Sequence, residues 1–211
     1  MKLAAQIKIL KRDKTVSGVV EKRIKEFKEI HKRDNSIWFR ELCFCLLTAN
    51  FKAEESMKIC EKECETGAFT KCLQGELSEF LKKHGHRFPN ARAGFITGAR
   101  KYKNEIKNIV VNFKDEREAR EWLAKNIKGL GYKEASHFLR NVGYENVAII
   151  DRHILKVLYE NKIIPEIPKT IGKRKYLEIE KELEKIAGEL NINLSELDFY
   201  LWYMKTGKVL K

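Results

Sequence analysis

Proline is scarce: there are three in 211 residues, and two of them, Pro165 and Pro168, mark a single loop. The chain has no stretch rich in glycine, serine and proline, no low-complexity segment and no internal repeat. These absences exclude a solenoid and a string of domains on long flexible linkers. The longest apolar run, Leu42 to Ala49, is far too short to cross a bilayer, and Lys8 interrupts the N-terminal apolar stretch before it could act as a signal core. A soluble, intracellular protein with no membrane partner is expected. Cysteine is equally uninformative as a framework. Cys43, Cys45, Cys60, Cys64 and Cys72 are odd in number and confined to the first third of the chain, which suits reduced thiols in a cytosolic protein. Cys60 and Cys64 are one helical turn apart, but no His or Cys pair completes four metal ligands at a recognisable spacing, so no metal site is expected.

Charge of one sign is present in excess. Lys and Arg number 43 against 30 Asp and Glu, a formal charge of +13, and such a field attracts polyanions. Nucleic acid is the first candidate partner, and a well-solvated Lys/Glu-rich surface of the thermophilic kind is the other reading of the same balance. The length admits one domain or two small lobes.

Apolar residues recur at helical spacing almost everywhere. Val20, Ile24, Phe27 and Ile30 form one stripe, and Leu177, Leu183, Ile186 and Leu190 form another. The fold class read from this pattern is all-α. Asp34, Asn35 and Ser36 supply capping oxygens before Ile37 to Ala49, and Ser195 followed by Asp198 resembles a capping box opening the last helix. Val147 to Ile150 is the one strand-like stretch. With no second strand to pair with, it reads as a buried extended connector leading into Asp151 and a new helical pattern from Ile154 to Glu160.

The most informative segment runs from Asn126 to Arg140. A helical pattern from Glu116 to Lys125, with Trp122 and Leu123 facing inward, reaches Lys128-Gly129-Leu130-Gly131 and then resumes with Ala135, Phe138 and Leu139 inward. This is a helix-hairpin-helix pattern. Glycines permit close backbone approach, so the N–H groups of the hairpin and the positive end of the second helix can meet a DNA phosphate. Lys128, Gly129 and Gly131 are the candidate DNA-binding residues here. A helical corner that turns on glycine for packing alone is the alternative.

Lysine stands two places after the second glycine, and Ile150-Asp151-Arg152-His153 follows with Asp151 eighteen residues after Lys133. In this the chain resembles the helix-hairpin-helix DNA glycosylases with lyase activity. Within them it is similar throughout its length to the type-2 archaeal and bacterial 8-oxoguanine DNA glycosylases. The likeness includes Leu47-Thr48-Ala49-Asn50, Gly85-His86-Arg87-Phe88 and the terminal Gly207-Lys208-Val209-Leu210-Lys211, and the four-cysteine cluster of endonuclease III relatives is missing from the C-terminal part. The resemblance implies a two-lobed fold, with residues 34–145 as one lobe ending in the hairpin (about 116–142) and residues 1–33 plus 146–211 as the other. Double-stranded DNA containing oxidised guanine would cross the cleft between them. It further implies a monomer acting in the cytoplasm of a prokaryote, and no cofactor.

The resemblance also assigns roles. Lys133 is the nucleophile and Asp151 its acidic partner, stabilising positive charge on the deoxyribose as the base leaves. An amine attacks carbon only when unprotonated, whereas a free lysine is almost wholly charged at neutral pH. The start of a helix and burial beneath an extruded nucleotide both disfavour another cation. Asp151 also suits a helix cap, which is compatible with that role. Arg152 and His153 would bind phosphate, His153 having packing as its alternative, and Asn50 and Arg87 would join the DNA contacts. Phe88 would fill the gap left by the extruded base, or anchor a turn from the core. Trp202 would stack on the flipped base, or belong to the core of the last helix. The carboxylate of Lys211 would accept from N7–H of 8-oxoguanine and face a lone pair in guanine. Two other readings stand beside this one: a non-catalytic DNA-binding module, and a glycosylase for an oxidised pyrimidine or a mismatched thymine.

Overall fold

Asp13 ends one helix and opens the next. In the computed structural model, which describes residues 2–211, α1 (Leu3–Arg12) stops at Asp13. Its carboxylate then accepts from Thr15 N–H at 2.9 Å and Val16 N–H at 3.4 Å at the head of α2 (Lys14–Lys32). Asp34 repeats the device for α3 (Asn35–Thr48), accepting from Ser36 and Ile37 N–H at 3.0 and 3.2 Å, the capping expected from the sequence. There follow α4 (Ala53–Thr66), α5 (Ala68–Lys71), α6 (Gln74–Lys83), α7 (Pro89–Ala99) with proline in its first turn, a single 3₁₀ turn at Arg100–Tyr102, and α8 (Ile106–Val111). The remaining helices are α9 (Glu116–Asn126), α10 (Tyr132–Asn141), α11 (Arg152–Glu160), α12 (Lys173–Leu190) and α13 (Leu194–Thr206). The described residues contain no strand, so the class is all-α as the periodicity indicates. None of the described helices is long and apolar enough to cross a membrane.

The chain divides into two units, Ile30–Phe138 and the residues up to Glu29 taken with Leu139–Lys211. The first is organised on α3. Trp38, Phe39, Leu42, Cys43, Phe44, Cys45, Leu46 and Leu47 are all buried, and a helix apolar on every face has to be enclosed. It is enclosed by α4, α7 and α8. Each such Leu or Phe taken out of water contributes about 1.5–3 kcal/mol. Trp38 meets Phe138 edge to face at 6.0 Å, which ties α3 to the first part of α10.

The second unit is organised on α13, against which α1, α11 and α12 pack. Phe27 and Phe199 stack at 6.0 Å, and the buried Arg140 guanidinium forms an ion pair with the buried Asp198 carboxylate. This pair corrects one sequence expectation. The capping box read at Ser195 and Asp198 does not exist: Asn193 caps α13, its side chain accepting from Glu196 N–H at 2.7 Å. Asp198 is taken by Arg140, and Ser195 lies inside the helix with its N–H donating to Glu145 C=O. A second correction is smaller. In α12 the inner face runs through Tyr176, Ile179, Glu180 and Leu183, while Leu177 is only half-buried.

Candidate active site

The hairpin is pinned from beneath by its apolar residues. After α9, Ile127 and Leu130 are buried while Lys128 between them is exposed. Gly129 has φ +98°, and a side chain there would also collide with its neighbour, because a Cβ would lie 2.4 Å from Cδ2 of Phe95. Both the left-handed backbone and the close approach require glycine at this point. Gly131 has an ordinary φ. Its N–H donates to Oε2 of Glu134 at 3.2 Å, so Glu134 returns onto the hairpin and satisfies a donor that α10 leaves open.

Lys133 occupies the first turn of α10. Its side chain is 25% exposed, and Nζ lies 3.9 Å from Oε1 of Glu134, the outer limit of an ion pair and not a buried salt bridge. Glu134 therefore stands between the hairpin backbone and the amine. Its charge also reaches Arg92, whose guanidinium burial pushes toward the neutral form while Glu134 acts in the opposite sense. Arg92 Nη2 donates to Ala49 C=O at 2.5 Å, and its guanidinium sits 5.4 Å from the Phe95 ring. Sequence reading missed Arg92. A buried arginine carries no local signature, and only its partners, Ala49 and Phe95, reveal what it does.

The segment before α7 is held by His86. Its Nδ1 accepts from Phe88 N–H at 3.0 Å, so the ring hydrogen is on Nε2, which faces Leu47 C=O at 3.0 Å. Phe51 lies against the same ring at 4.3 Å. Burial lowers the His86 pKa, with the Leu47 carbonyl opposing and Arg92 reinforcing the shift. Phe88 itself is 37% exposed with the Arg87 guanidinium 4.9 Å from its ring, so it does not anchor the turn from the core. Asn50, exposed and at φ 57°, follows the Ala49 carbonyl that Arg92 holds.

Asp151, Arg152, His153, Trp202 and Lys211 belong to the second unit, whereas Asn50, Arg87, Phe88, Lys128, Gly129, Gly131 and Lys133 belong to the first. Asp151 caps α11, accepting from His153 N–H at 2.8 Å and Ile154 N–H at 2.9 Å, both through Oδ1. The residues before it, Val147 to Ile150, are buried and extended, as the sequence pattern indicates. Arg152 and His153 are exposed, and the His153 ring meets Trp202 edge to face at 4.7 Å. Trp202 is half-buried. Beyond α13, Gly207 turns the chain at φ 67°, and the Thr206 hydroxyl accepts from Lys208 N–H at 3.2 Å. Val209, Leu210 and Lys211 are half-buried. Among the described residues no group of three His, Cys, Asp or Glu side chains is placed to hold a metal ion.

A family model described as 8-oxoguanine DNA glycosylase matches residues 20–192. The chain is 56% identical over 211 residues to the 8-oxoguanine DNA glycosylase/AP lyase of Methanocaldococcus jannaschii, covering all of both chains. It is 51% identical over 196 residues to the protein of that name from Korarchaeum cryptofilum, covering 93% of this chain and 92% of the other. The fold superimposes on the crystal structure of the Methanocaldococcus jannaschii glycosylase/lyase in complex with 15mer DNA containing 8-oxoguanine with a TM-score of 0.96, at 55% identity and full coverage of both chains. A family model spanning most of the chain and full-length identity above one half leave a single assignment: the chain belongs to the 8-oxoguanine DNA glycosylase family.

Proposed function

We propose that this protein releases 8-oxoguanine from double-stranded DNA and then cuts the strand at the abasic site it has made. Lys133 is the nucleophile and Asp151 the acidic partner, and the protein acts as a cytoplasmic monomer without a cofactor. The observation that carries the reading is a lysine in the first turn of the helix that follows the glycine hairpin, its amine within reach of solvent and clear of any short ion pair.

The chemistry runs in three steps. The neutral Lys133 amine adds to C1′ of the extruded nucleotide while the bond from C1′ to N9 breaks, and the electron pair leaves with the base, which takes up a proton. The Asp151 carboxylate stabilises the positive charge that grows on the sugar. The adduct then opens to a Schiff base, loss of a C2′ proton follows, and the 3′ phosphate leaves by β-elimination. Lys128 and the hairpin N–H groups grip phosphate without reading sequence. Phe88 replaces the lost stacking, Trp202 stacks on the base, and Asn50, Arg87, Arg152 and His153 complete the DNA contacts. The Lys211 carboxylate accepts from the N7–H that distinguishes the lesion from guanine.

Borohydride added during turnover on a duplex with a single 8-oxoguanine is expected to trap a covalent complex with the wild-type protein and none with Lys133→Gln, which should still bind the duplex. Normal trapping and cleavage by Lys133→Gln would remove Lys133 as the nucleophile. Adding residues after Lys211 should erode discrimination against guanine, and unchanged selectivity would dismiss the terminal carboxylate as the reader of N7–H.

A further inference from the structure

The connector that delivers Asp151 is extended and buried, yet it has no sheet to lie in. Extended backbone out of water must find partners for its N–H and C=O groups. In this protein α12 provides them from two side chains. Oε1 of Glu180 accepts from Ala148 N–H at 2.8 Å. The Tyr176 hydroxyl donates to Ala148 C=O at 2.6 Å and accepts from Ile150 N–H at 3.3 Å. Tyr176 and Glu180 are 3% and 2% exposed, and their spacing of one helical turn sets them on one face. The two side chains do what a neighbouring strand would do. The last group they hold, Ile150 N–H, belongs to the residue immediately before Asp151.

We propose that Tyr176 and Glu180 are positioning residues for Asp151, fixing the connector so that the carboxylate is presented in register with the reacting sugar. This rests on the reading of Asp151 as a catalytic group. The cap on α11 restrains Oδ1 relative to that helix, while the tyrosine and glutamate restrain the chain entering it, so the carboxylate is located from both sides. Tyr176→Phe keeps the ring and deletes only the hydroxyl. Ala148 C=O and Ile150 N–H then lose a partner in a buried place, and the connector has to shift to recover one. A displacement of about 1 Å at a reacting group costs up to about a hundredfold in rate.

The test is single-turnover release of 8-oxoguanine from a duplex by wild type, Tyr176→Phe, Asp151→Asn and the double variant. Affinity for a duplex carrying a tetrahydrofuran abasic-site analogue is measured beside it. Tyr176→Phe is expected to slow release at least about tenfold with analogue affinity within about twofold of wild type, and the double variant to be no slower than Asp151→Asn alone. A wild-type rate for Tyr176→Phe, a rate loss matched by weaker analogue binding, or losses that multiply in the double variant would each overturn the proposal. If Asp151→Asn releases the base at the wild-type rate, the catalytic reading of Asp151 falls first and the proposal with it. Should Tyr176→Phe fail to fold, Glu180→Met removes the acceptor for Ala148 N–H and leaves the Tyr176 hydroxyl in place. It is expected to show the same pattern of slowed release with non-additivity, and a wild-type rate for it overturns the proposal as well.

Discussion

The ring of Phe95 lies so close to the backbone of Gly129 that a Cβ on residue 129 would fall 2.4 Å from ring carbon Cδ2. A helix of the first unit thereby supports the hairpin directly, and the two hairpin glycines are not equivalent. At Gly129 alanine faces both a positive φ of 98° and a hard contact, whereas at Gly131 the nearest obstacle is the end of the flexible Glu134 side chain at 3.2 Å. Gly129→Ala is expected to lower stability by about 2–4 kcal/mol, combining backbone strain with overpacking. Gly131→Ala should cost about 1 kcal/mol or less. Urea denaturation midpoints of the two variants measure the difference. Adding Phe95→Ala to Gly129→Ala should recover the steric part but not the backbone part.

Lys128 is exposed between two buried residues of the hairpin. If it neutralises one phosphate, Lys128→Ala should weaken binding to all duplexes about equally. The slope of log affinity against log salt concentration should fall by about 1. Titrations at several salt concentrations on undamaged and damaged duplex check both, and an unchanged slope would place Lys128 away from phosphate.

Arg140 and Asp198 are 5% and 7% exposed and form an ion pair. Asp198→Ala takes the carboxylate away from a buried guanidinium, and a loss of about 3–5 kcal/mol is expected. Asp198→Asn keeps an acceptor oxygen and should lose less. Thermal denaturation at neutral pH compares them, and equal losses would show that the charge, and not the shape or the acceptor oxygen, holds this contact.

His86 gives the fold a defined response to acid. Burial lowers its pKa from the usual 6.5, so between that value and its folded-state value the unfolded chain binds the proton and the folded chain does not. Its contribution to stability is complete above pH 6.5 and is lost as pH falls through the lowered value. Protonation places a hydrogen on Nδ1, the atom that accepts from Phe88 N–H. The stability gap between wild type and His86→Leu is therefore expected to be wide at pH about 7.5 and to narrow toward pH about 5. Denaturation midpoints across that range measure the gap, and a constant gap would show that His86 does not titrate there.

Much of the fold was legible because the signals are local. A cap reads its own first turn, as Asp34 does with Ser36 and Ile37. The change from helical spacing to four successive buried residues marked the connector before Asp151. The expected helix from Glu116 to Lys125 is observed as Glu116–Asn126. The last helix was misread for an equally physical reason. Asn193 and Ser195 are both capping residue types, and what decides between them is Arg140, distant in sequence, drawing Asp198 into a buried pair.

By itself the amino-acid order determined the all-helical class, the glycine hairpin with a lysine behind it, and the acidic residue that opens the next helix. Periodicity, turn chemistry and caps act over a few residues and are written in consecutive positions. Tertiary structure alone decided that Phe95 makes Gly129 irreplaceable, that His86 and Arg92 hold the segments carrying Phe88 and Asn50, and that Tyr176 and Glu180 stand in for a missing strand. Those contacts join residues far apart along the chain, and their partners are chosen only when burial of the helices leaves particular polar groups facing one another out of water.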